Sequence, residues 1–274
     1  MRNTINALLP RPAVRFARRL WRGTAGVLGL AEAADPALAD LSGEGDWKAA
    51  GEAIALWARA LAGVQTNARV LDIGCGPGRM AEGLLDWLDA DGRYMGFDPS
   101  AKAIKAAETR LGSDSRASFV HADIFNTEYN PRGQAPDAEF VFPVEDDSID
   151  FAFATSVFTH MRIDGVRRYI DEAARCLAPG GAFLFTIFLL DTQSRLACED
   201  GKAAYKFQHP IDEVSATIDR RTPERAIAHQ RKVIRDALQS AGLEISDKIH
   251  AGTWRGLANA MAFQDLIVAK KPVS

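Results

Sequence analysis

The spacing of hydrophobic positions along this chain switches repeatedly between a helical period and a strand-like pattern. From residue 46 to Gly63 the apolar residues fall at helical spacing, and the short apolar run ARVLDIG follows. Helical and strand-like segments then alternate as far as residue 190, and SIDFAFATSVF is typical of a strand covered on both faces. The alternation predicts a doubly wound α/β sheet. The strand candidates up to residue 190 are ARVLDIG, RYMGFD, ASFVHAD, SIDFAFATSVF and AFLFTIFLL.

The C-terminal part of the chain departs from this alternation. No strong period runs through about thirty residues after Asp191, and the next segment predicts a helix with Thr222 as N-cap and Pro223 at its first position, ending at Gly242. Two further strands, LEISDKI and FQDLIVAKK, have no helix between them. We therefore predict an α/β fold with a Rossmann-like, doubly wound, seven-stranded sheet, mostly parallel and with an antiparallel C-terminal edge hairpin.

Composition divides the chain into an N-terminal extension, residues 1–45, and a single domain, residues 46–274. The extension is rich in arginine, and no acidic residue precedes Glu32. We favour a helix that docks on the main domain, and the alternatives are weak contact with an anionic membrane surface and an organelle transit peptide. The same segment could pack on a second copy of the chain and so form a homo-oligomer.

Bulk properties narrow the function. The formal net charge of -3 provides no overall basic field for binding nucleic acid. No uncharged apolar run reaches the length of about 18 residues that predicts a membrane span. Cys75, Cys176 and Cys198 are far apart and lack CxxC spacing, so we expect neither a disulfide framework nor a metal site. A reducing, cytoplasmic setting fits best.

The first predicted strand runs directly into a turn with glycines at 74, 76 and 78. Such a turn binds a nucleotide in many α/β sheets. A dinucleotide fingerprint would place its third glycine at position 79, which is Arg79, and the P-loop ending is absent. Asp72 would repel a pyrophosphate, whereas it would attract the sulfonium and ammonium groups of S-adenosylmethionine. The alternative is a tight turn whose glycines serve packing only.

Two further acidic residues end the next strands. Asp98 ends the second strand, where a carboxylate can accept both hydroxyls of a ribose. Asp123 ends the third strand, where it could accept the adenine amino group while Ile124 faces the ring. Each residue alone is more typical of a helix N-cap or a solvated strand end than of a cofactor site. Together with Asp72, they place three carboxylates at consecutive strand ends and favour the cofactor interpretation.

The chain resembles the class I S-adenosylmethionine-dependent methyltransferases over residues 46–190. The motifs that carry the resemblance are VLDIGCGPGR, GFDPS, HADIFN, ATSVFTHM and LAPGGAFLF, and GEGDWKAAGE resembles a segment that precedes them in one bacterial subgroup. The resemblance implies S-adenosylmethionine as cofactor and places Thr155 and Ser156 beneath the sulfonium. The other cofactor-binding residues that it implies are Trp47, Asp72, Gly74, Cys75, Gly76, Gly78, Asp98, Pro99, Asp123 and Ile124.

The sequence indicates the methyl acceptor less directly than it indicates the cofactor. His160 follows the fourth strand, where a general base would assist a hydroxyl acceptor, or where a structural histidine would cap the next helix. His209 is a second candidate base. It lies in one of two insertions, near 126–143 and 191–222, that we expect to form the acceptor lid. Tyr129, Arg195, Tyr205, Arg220 and Trp254 could line the same pocket.

Absent motifs narrow the acceptor further. The Asn/Asp-Pro-Pro-aromatic motif of nucleobase amine methyltransferases, a nucleophilic cysteine and a metal-binding aspartate are all missing after the fourth strand. We therefore expect metal-independent O-methylation of a small polar molecule or glycan. The alternatives are a nitrogen or carbon acceptor, or a non-catalytic S-adenosylmethionine-binding module that serves a partner enzyme. A nicotinamide-dependent oxidoreductase is disfavoured by the glycine spacing and by Asp72.

Overall fold

The computed structural model describes residues 47–127 and 129–273. The N-terminal extension, residues 1–45, lies outside the described residues, together with the docking, membrane-surface and transit-peptide interpretations of it. Among the described residues, no helix is both long and apolar enough to cross a bilayer. The helices are α1 (Trp47–Trp57, continued by a π-helical turn at Ala58–Ala62), α2 (Ala81–Trp87), α3 (Ala101–Leu111), α4 (Ile163–Cys176), α5 (Thr192–Glu199) and α6 (Arg231–Ser240).

The strands of the described residues form one connected, ten-stranded sheet. The strands are β1 (Arg69–Ile73), β2 (Arg93–Asp98), β3 (Ala117–His121), β4 (Ile149–Ala154), β5 (Leu177–Leu190), β6 (His209–Pro210), β7 (Ser215–Thr217), β8 (Ile227–Gln230), β9 (Glu244–Ile245) and β10 (Asp265–Lys270). β1 pairs in parallel with β2 and β4, and the parallel part of the sheet has the order β3-β2-β1-β4-β5.

The antiparallel C-terminal edge confirms the prediction from sequence. β10 runs antiparallel to β5, and β9 runs antiparallel to β10. Seven strands therefore form the predicted, mostly parallel sheet, β3-β2-β1-β4-β5-β10-β9. Beyond it, the last residues of β5 pair with β8, which continues into the small antiparallel ribbon β8-β7-β6. This ribbon accounts for the three strands that the sequence did not predict.

Both faces of the main sheet are covered by helices. Successive side chains of a strand point to opposite faces, and in β4 this sends Phe151 and Phe153 to one side and Ala152 and Ala154 to the other. Residues of α1 and α2 pack on the phenylalanine side, while α4 and α6 pack on the alanine side. Because both faces are buried, β4 is apolar from Phe151 to Ala154, which explains the long apolar run in the sequence.

The helix predicted from Thr222 to Gly242 is wrong in its first half. Pro223–Arg225 forms one 3-10 turn, β8 follows at Ile227–Gln230, and the helix begins only at Arg231. The Thr222 side chain forms no cap hydrogen bond to the turn. The reason is tertiary, because the long strand β5 leaves the backbone of its last residues without a partner, and Ile227–Gln230 pairs with that edge.

The segment after Asp191, which shows no strong period in the sequence, contains short elements. Asp191 caps α5 through its carboxylate, which accepts a hydrogen bond from the Ser194 N–H at 2.9 Å, and the Ser194 hydroxyl accepts from the Asp191 N–H in return. This capping box ends β5 and starts the helix at the same residue. With strands of only two or three residues, β6 and β7 are too short to impose a period.

A buried ion pair ties the loop before β10 to the end of β5. The Asp265 carboxylate is fully buried and accepts hydrogen bonds from Arg255, Gly252 and Trp254. Arg255 also donates to both carboxylate oxygens of Asp191 at 2.9 Å. A buried charge pair of this kind needs all of its hydrogen bonds, since an unpaired partner would be strongly destabilising. The network fixes the loop that flanks the carboxyl ends of β4 and β5.

Candidate functional site

A cleft of about 750 Å³ opens at the carboxyl ends of the parallel strands. Its walls come from the turns after β1, β2 and β4, from the segment after β3 and from the start of α4. This is where an open α/β sheet binds its ligand. Of the residues predicted from sequence, those that line the cleft are Asp72, Gly74, Cys75, Gly76, Asp98, Pro99, Ile124, Thr155, Ser156 and His160, with Tyr129 from the first insertion.

The glycine turn adopts a backbone that other residues disfavour. Gly74, Gly76 and Gly78 have φ angles of +73°, +53° and +81°. At Gly74 an added Cβ would lie 2.5 Å from Cγ2 of Val157, so the first glycine also permits close packing against the turn after β4. Gly78 does not line the cleft, and an added Cβ there would meet Leu111 of α3 at 3.0 Å. The third glycine therefore serves packing between the turn and α3.

Asp72 lies at the bottom of the cleft and is 1% exposed. Its Oδ2 accepts a hydrogen bond from the Tyr94 hydroxyl at 2.6 Å. Burial raises the pKa of Asp72 to about 8, although the Tyr94 hydrogen bond lowers it, and the charge of Asp98 raises it further. Gly96 leaves room for this pair, because an added Cβ would lie 2.8 Å from Cys75 Sγ and 3.1 Å from the Tyr94 oxygen.

Tyr94 is a site residue that the sequence analysis missed. It lies two residues before Gly96 on the neighbouring strand, so both residues belong to the same face of β2. The one available signal was a tyrosine inside a buried strand, since a buried phenol requires a hydrogen-bond partner. The register between β1 and β2 then brings its hydroxyl to Asp72.

Asp98 ends β2 and is held in place by two backbone groups. Its Oδ2 accepts a hydrogen bond from the Gly76 N–H at 2.9 Å, and its Oδ1 accepts from the Ser100 N–H at 2.8 Å. Burial raises the pKa of Asp98, and the two backbone hydrogen bonds oppose that shift. Each carboxylate oxygen retains a lone pair. Asp98 can therefore accept two hydroxyl groups of a ribose while it fixes the glycine turn.

The side chains of Asp123 and Ile124, just after β3, lie in different environments. Ile124 is buried and lines the cleft, whereas the Asp123 side chain is exposed and does not. The Asp123 backbone carbonyl accepts hydrogen bonds from the N–H groups of Gln134 and Ala135, which folds the first insertion back against β3. In this structure the apolar contact predicted for Ile124 is available, and the Asp123 carboxylate is directed away from the cleft wall.

Two further predicted residues lie outside the cleft. Trp47 is buried at the start of α1, and the guanidinium of Arg110 lies 4.7 Å from the centre of its ring. His209 belongs to β6 in the small ribbon, where it pairs with Thr217. Neither side chain lines the cleft, and the other proposed pocket residues outside it are Arg195, Tyr205, Arg220 and Trp254.

The turn after β4 forms another part of the wall. Ser156 has a φ of +59°, a left-handed conformation that is costly for a residue with a side chain. Its N–H donates to Oγ1 of Thr186 at 2.8 Å, and its hydroxyl hydrogen-bonds with the side chain of Gln264. Thr186 and Gln264 thus hold Ser156 in a strained backbone conformation at the cleft. Neither was predicted, since they come from β5 and from the loop before β10.

His160 lies in a 3-10 turn, Phe158–His160, and its ring is oriented by a backbone group. Nδ1 lies 2.8 Å from the carbonyl oxygen of Glu224. A carbonyl oxygen only accepts hydrogen bonds, so Nδ1 carries the hydrogen and Nε2 of the neutral ring is unprotonated. That tautomer is the one that a general base with Nε2 as the acceptor atom requires. The turn Pro223–Arg225, which replaces the predicted helix start, supplies this carbonyl.

The cleft offers groups that suit the cationic part, the ribose and the adenine of S-adenosylmethionine. The buried carboxyl of Asp72 suits a cationic group, and Asp98 suits the ribose hydroxyls. Pro99, Ile124 and Val157 offer apolar surface for the adenine ring. Phosphate chemistry fits less well, because a diphosphate at Asp72 would meet a buried acid instead of a cation.

Part of the chain matches a known protein family. Residues 70–181 match a family model described as a methyltransferase domain. That segment runs from β1 to the beginning of β5 and contains Asp72, Asp98 and His160.

Solved structures share the fold. An S-adenosylmethionine-dependent methyltransferase from Methanosarcina mazei is 24% identical, with 77% of this chain and 95% of that chain covered and a TM-score of 0.50. The PH0226 protein from Pyrococcus horikoshii OT3 is 16% identical, with 87% and 96% covered and a TM-score of 0.56. The mitomycin 7-O-methyltransferase MmcR is 14% identical, with 82% and 53% covered and a TM-score of 0.50. At these identities the similarity concerns the fold.

Proposed function

We propose that the chain is a class I S-adenosylmethionine-dependent methyltransferase that methylates a hydroxyl oxygen of a small polar molecule or glycan without a metal ion. The observation that carries the proposal is the orientation of His160. Its Nδ1–H donates to the Glu224 carbonyl, which leaves Nε2 as a proton acceptor on a ring that lines the cleft. A hydroxyl acceptor needs such a base, because a neutral alcohol is a weak nucleophile.

The residues of the chain divide the work of binding and proton transfer. Asp72 would hold the cationic part of S-adenosylmethionine, Asp98 the ribose, and Ile124 the adenine. Bound S-adenosylmethionine would supply the methyl group to the acceptor oxygen as an electrophile and would leave as S-adenosylhomocysteine. His160 Nε2 takes the proton that the hydroxyl loses, and solvent later receives it. Much of the rate enhancement then comes from alignment within the cleft.

The fold is compatible with this chemistry, since the mitomycin 7-O-methyltransferase MmcR shares it. The second predicted base, His209, lies outside the cleft and has no role in the proposal. The non-catalytic binding module remains the competing hypothesis from a different class. It predicts binding of S-adenosylmethionine without turnover.

The proposal is tested by methyl transfer from isotopically labelled S-adenosylmethionine into fractionated metabolite extracts. Labelled products are isolated, and the atom that carries the methyl group is identified by NMR. We expect a methyl ether and stoichiometric S-adenosylhomocysteine. A methyl group on nitrogen or carbon would contradict O-methylation, and cofactor binding without any labelled product would favour the binding module.

A further inference from the structure

The wall of the cleft beside His160 carries two carboxylates with no assigned role. Asp137 belongs to a 3-10 turn in the first insertion, and Glu224 belongs to the turn whose carbonyl orients His160. Both line the cleft and both are partly buried. Burial raises the pKa of Asp137, and the charge of Glu224 is close enough to raise it further. Two like charges therefore share this wall.

Their hydrogen bonds anchor them without neutralising them. The Thr127 hydroxyl donates to the Glu224 carboxylate, and the Asp137 carboxylate accepts from the Ala138 N–H. Among the described residues, neither carboxylate forms a salt bridge, although the positive charge of Arg162 lowers the pKa of Asp137 slightly against its burial. Asp137 also packs tightly on α4, where an added Cβ at Gly165 would lie 2.4 Å from its Oδ2. The carboxylate is thus fixed in position rather than free to turn into solvent.

A third group on this wall, the phenol of Tyr169, points independently to a ligand. Tyr169 is 4% exposed and lines the cleft, and its ring packs edge-on against Phe142 and Phe158. Its hydroxyl forms no hydrogen bond with any residue in the described ranges. Burial raises the pKa of Tyr169, and the charges of Asp137 and Asp98 add to that shift, so the phenol stays protonated. The phenol oxygen is therefore available to hydrogen-bond with a polar group bound in the cleft.

The charges on this wall favour one chemical class of acceptor. An anionic acceptor would be repelled by the two fixed carboxylates, and a neutral polyol would bring them no opposite charge. An ammonium group, in contrast, would be attracted to both carboxylates. The phenol of Tyr169 adds a donor and an acceptor for a hydroxyl.

We propose that the acceptor is a hydroxylated molecule that also carries a protonated amine, as an amino sugar does. Asp137 and Glu224 bind the ammonium group, and the Tyr169 phenol hydrogen-bonds to a neighbouring hydroxyl. This assignment rests on the proposed O-methylation at the same cleft, because it places the amine beside the base His160. The assignment specifies the charge of the acceptor. The glycine turn and the strand-end aspartates bear on the cofactor and do not specify that charge.

Glucosamine and glucose test the charge assignment, since they differ by one amine in place of one hydroxyl. Protein saturated with S-adenosylhomocysteine is titrated with each sugar at a pH of about 6.5, at which an amine of this kind is protonated, and binding is followed by calorimetry and by thermal shift. We expect glucosamine to bind at least about tenfold more tightly than glucose. An equal response to the two sugars, including no response to either, would overturn the proposal.

Variants assign the preference to the named side chains. Asp137→Asn and Glu224→Gln should each reduce the preference for glucosamine, and Tyr169→Phe should weaken both sugars together. Glu139→Gln is the matched control, because Glu139 is an exposed carboxylate of the same turn as Asp137 and does not line the cleft. A preference that survives in both Asp137→Asn and Glu224→Gln would contradict the assignment.

The fate of the labelled methyl group separates this inference from the proposed function. A cationic acceptor methylated on nitrogen or carbon would refute O-methylation and leave the charge assignment standing. A neutral or anionic acceptor methylated on oxygen would refute the charge assignment and leave O-methylation standing.

Discussion

The Tyr94 hydroxyl donates a hydrogen bond of 2.6 Å to Oδ2 of Asp72 across two neighbouring parallel strands. Both side chains are buried, and the bond is the one contact that lowers the pKa of Asp72 against its burial. Tyr94 therefore supports the ionised form of the carboxylate that would meet a cationic ligand.

Removing this hydroxyl should weaken cofactor binding. We expect Tyr94→Phe to raise the Kd for S-adenosylmethionine by about tenfold, since hydrogen bonds to charged groups contribute roughly 1.5–3 kcal/mol. Calorimetry at neutral pH measures the change. Tyr205→Phe is the control, because Tyr205 lies outside the cleft. Equal affinities of Tyr94→Phe and the wild type would show that Asp72 does not need this donor.

The raised pKa of Asp72 also predicts a pH dependence of stability. A carboxyl with a folded pKa of about 8, above the ordinary value of 3.8, binds its proton more tightly in the folded state. Its contribution is complete below about pH 4 and is lost as the pH rises through about 8. The free energy of unfolding of the cofactor-free wild type should therefore fall relative to that of Asp72→Asn across this range. Parallel curves for the two proteins would refute the shift.

Asp98 and Asp123 should respond differently to removal. Asp98→Ala loses the acceptor of the Gly76 and Ser100 N–H groups as well as the ribose contact, so we expect S-adenosylmethionine affinity to fall by more than about 1 kcal/mol. Asp123→Ala removes an exposed carboxylate and should change the affinity much less. A larger effect at Asp123 in the same titration would mean that this carboxylate turns toward the adenine when the cofactor binds.

A comparison of two glycines separates the cost of a steric clash from the cost of a left-handed backbone. Gly74 and Gly242 have nearly equal φ angles, +73° and +75°, but only Gly74 has a close neighbour for an added Cβ. Gly242→Ala should cost about 1–2 kcal/mol from conformation alone. Gly74→Ala should cost a further 1–3 kcal/mol, roughly the penalty for overpacking. Urea denaturation of both variants gives the difference, and equal costs would indicate that Val157 moves aside freely.

The sequence predicted the parts of the fold and site that depend on local pattern. The alternation around β1 and β2 and the glycines at 74 and 76 are signals within a few residues, and they correctly located the cleft. Asp72 and Asp98 line it for the same reason, since the carboxyl ends of parallel strands meet at one edge of the sheet.

Features that depend on contacts between distant segments were not predictable from pattern. The helix expected from Thr222 competes with the free edge of β5, and pairing with that edge converts Ile227–Gln230 into a strand. The same change places the Glu224 carbonyl at His160. Tyr169 resembles any core residue of an amphipathic helix until α4 is docked beneath Asp137. Such residues acquire their roles only in the tertiary structure.

The central claim is that His160 accepts the proton of a hydroxyl during methyl transfer. The most direct measurement compares the initial rates of labelled methyl transfer by wild type and His160→Ala, together with the Kd for S-adenosylmethionine. His250→Ala serves as control, because His250 does not line the cleft. We predict a fall of about 100-fold or more in rate, an unchanged Kd, and loss of the wild type's dependence on a single deprotonation in its pH–rate profile. A rate for His160→Ala within about threefold of the wild type, with the same pH profile, would contradict the claim.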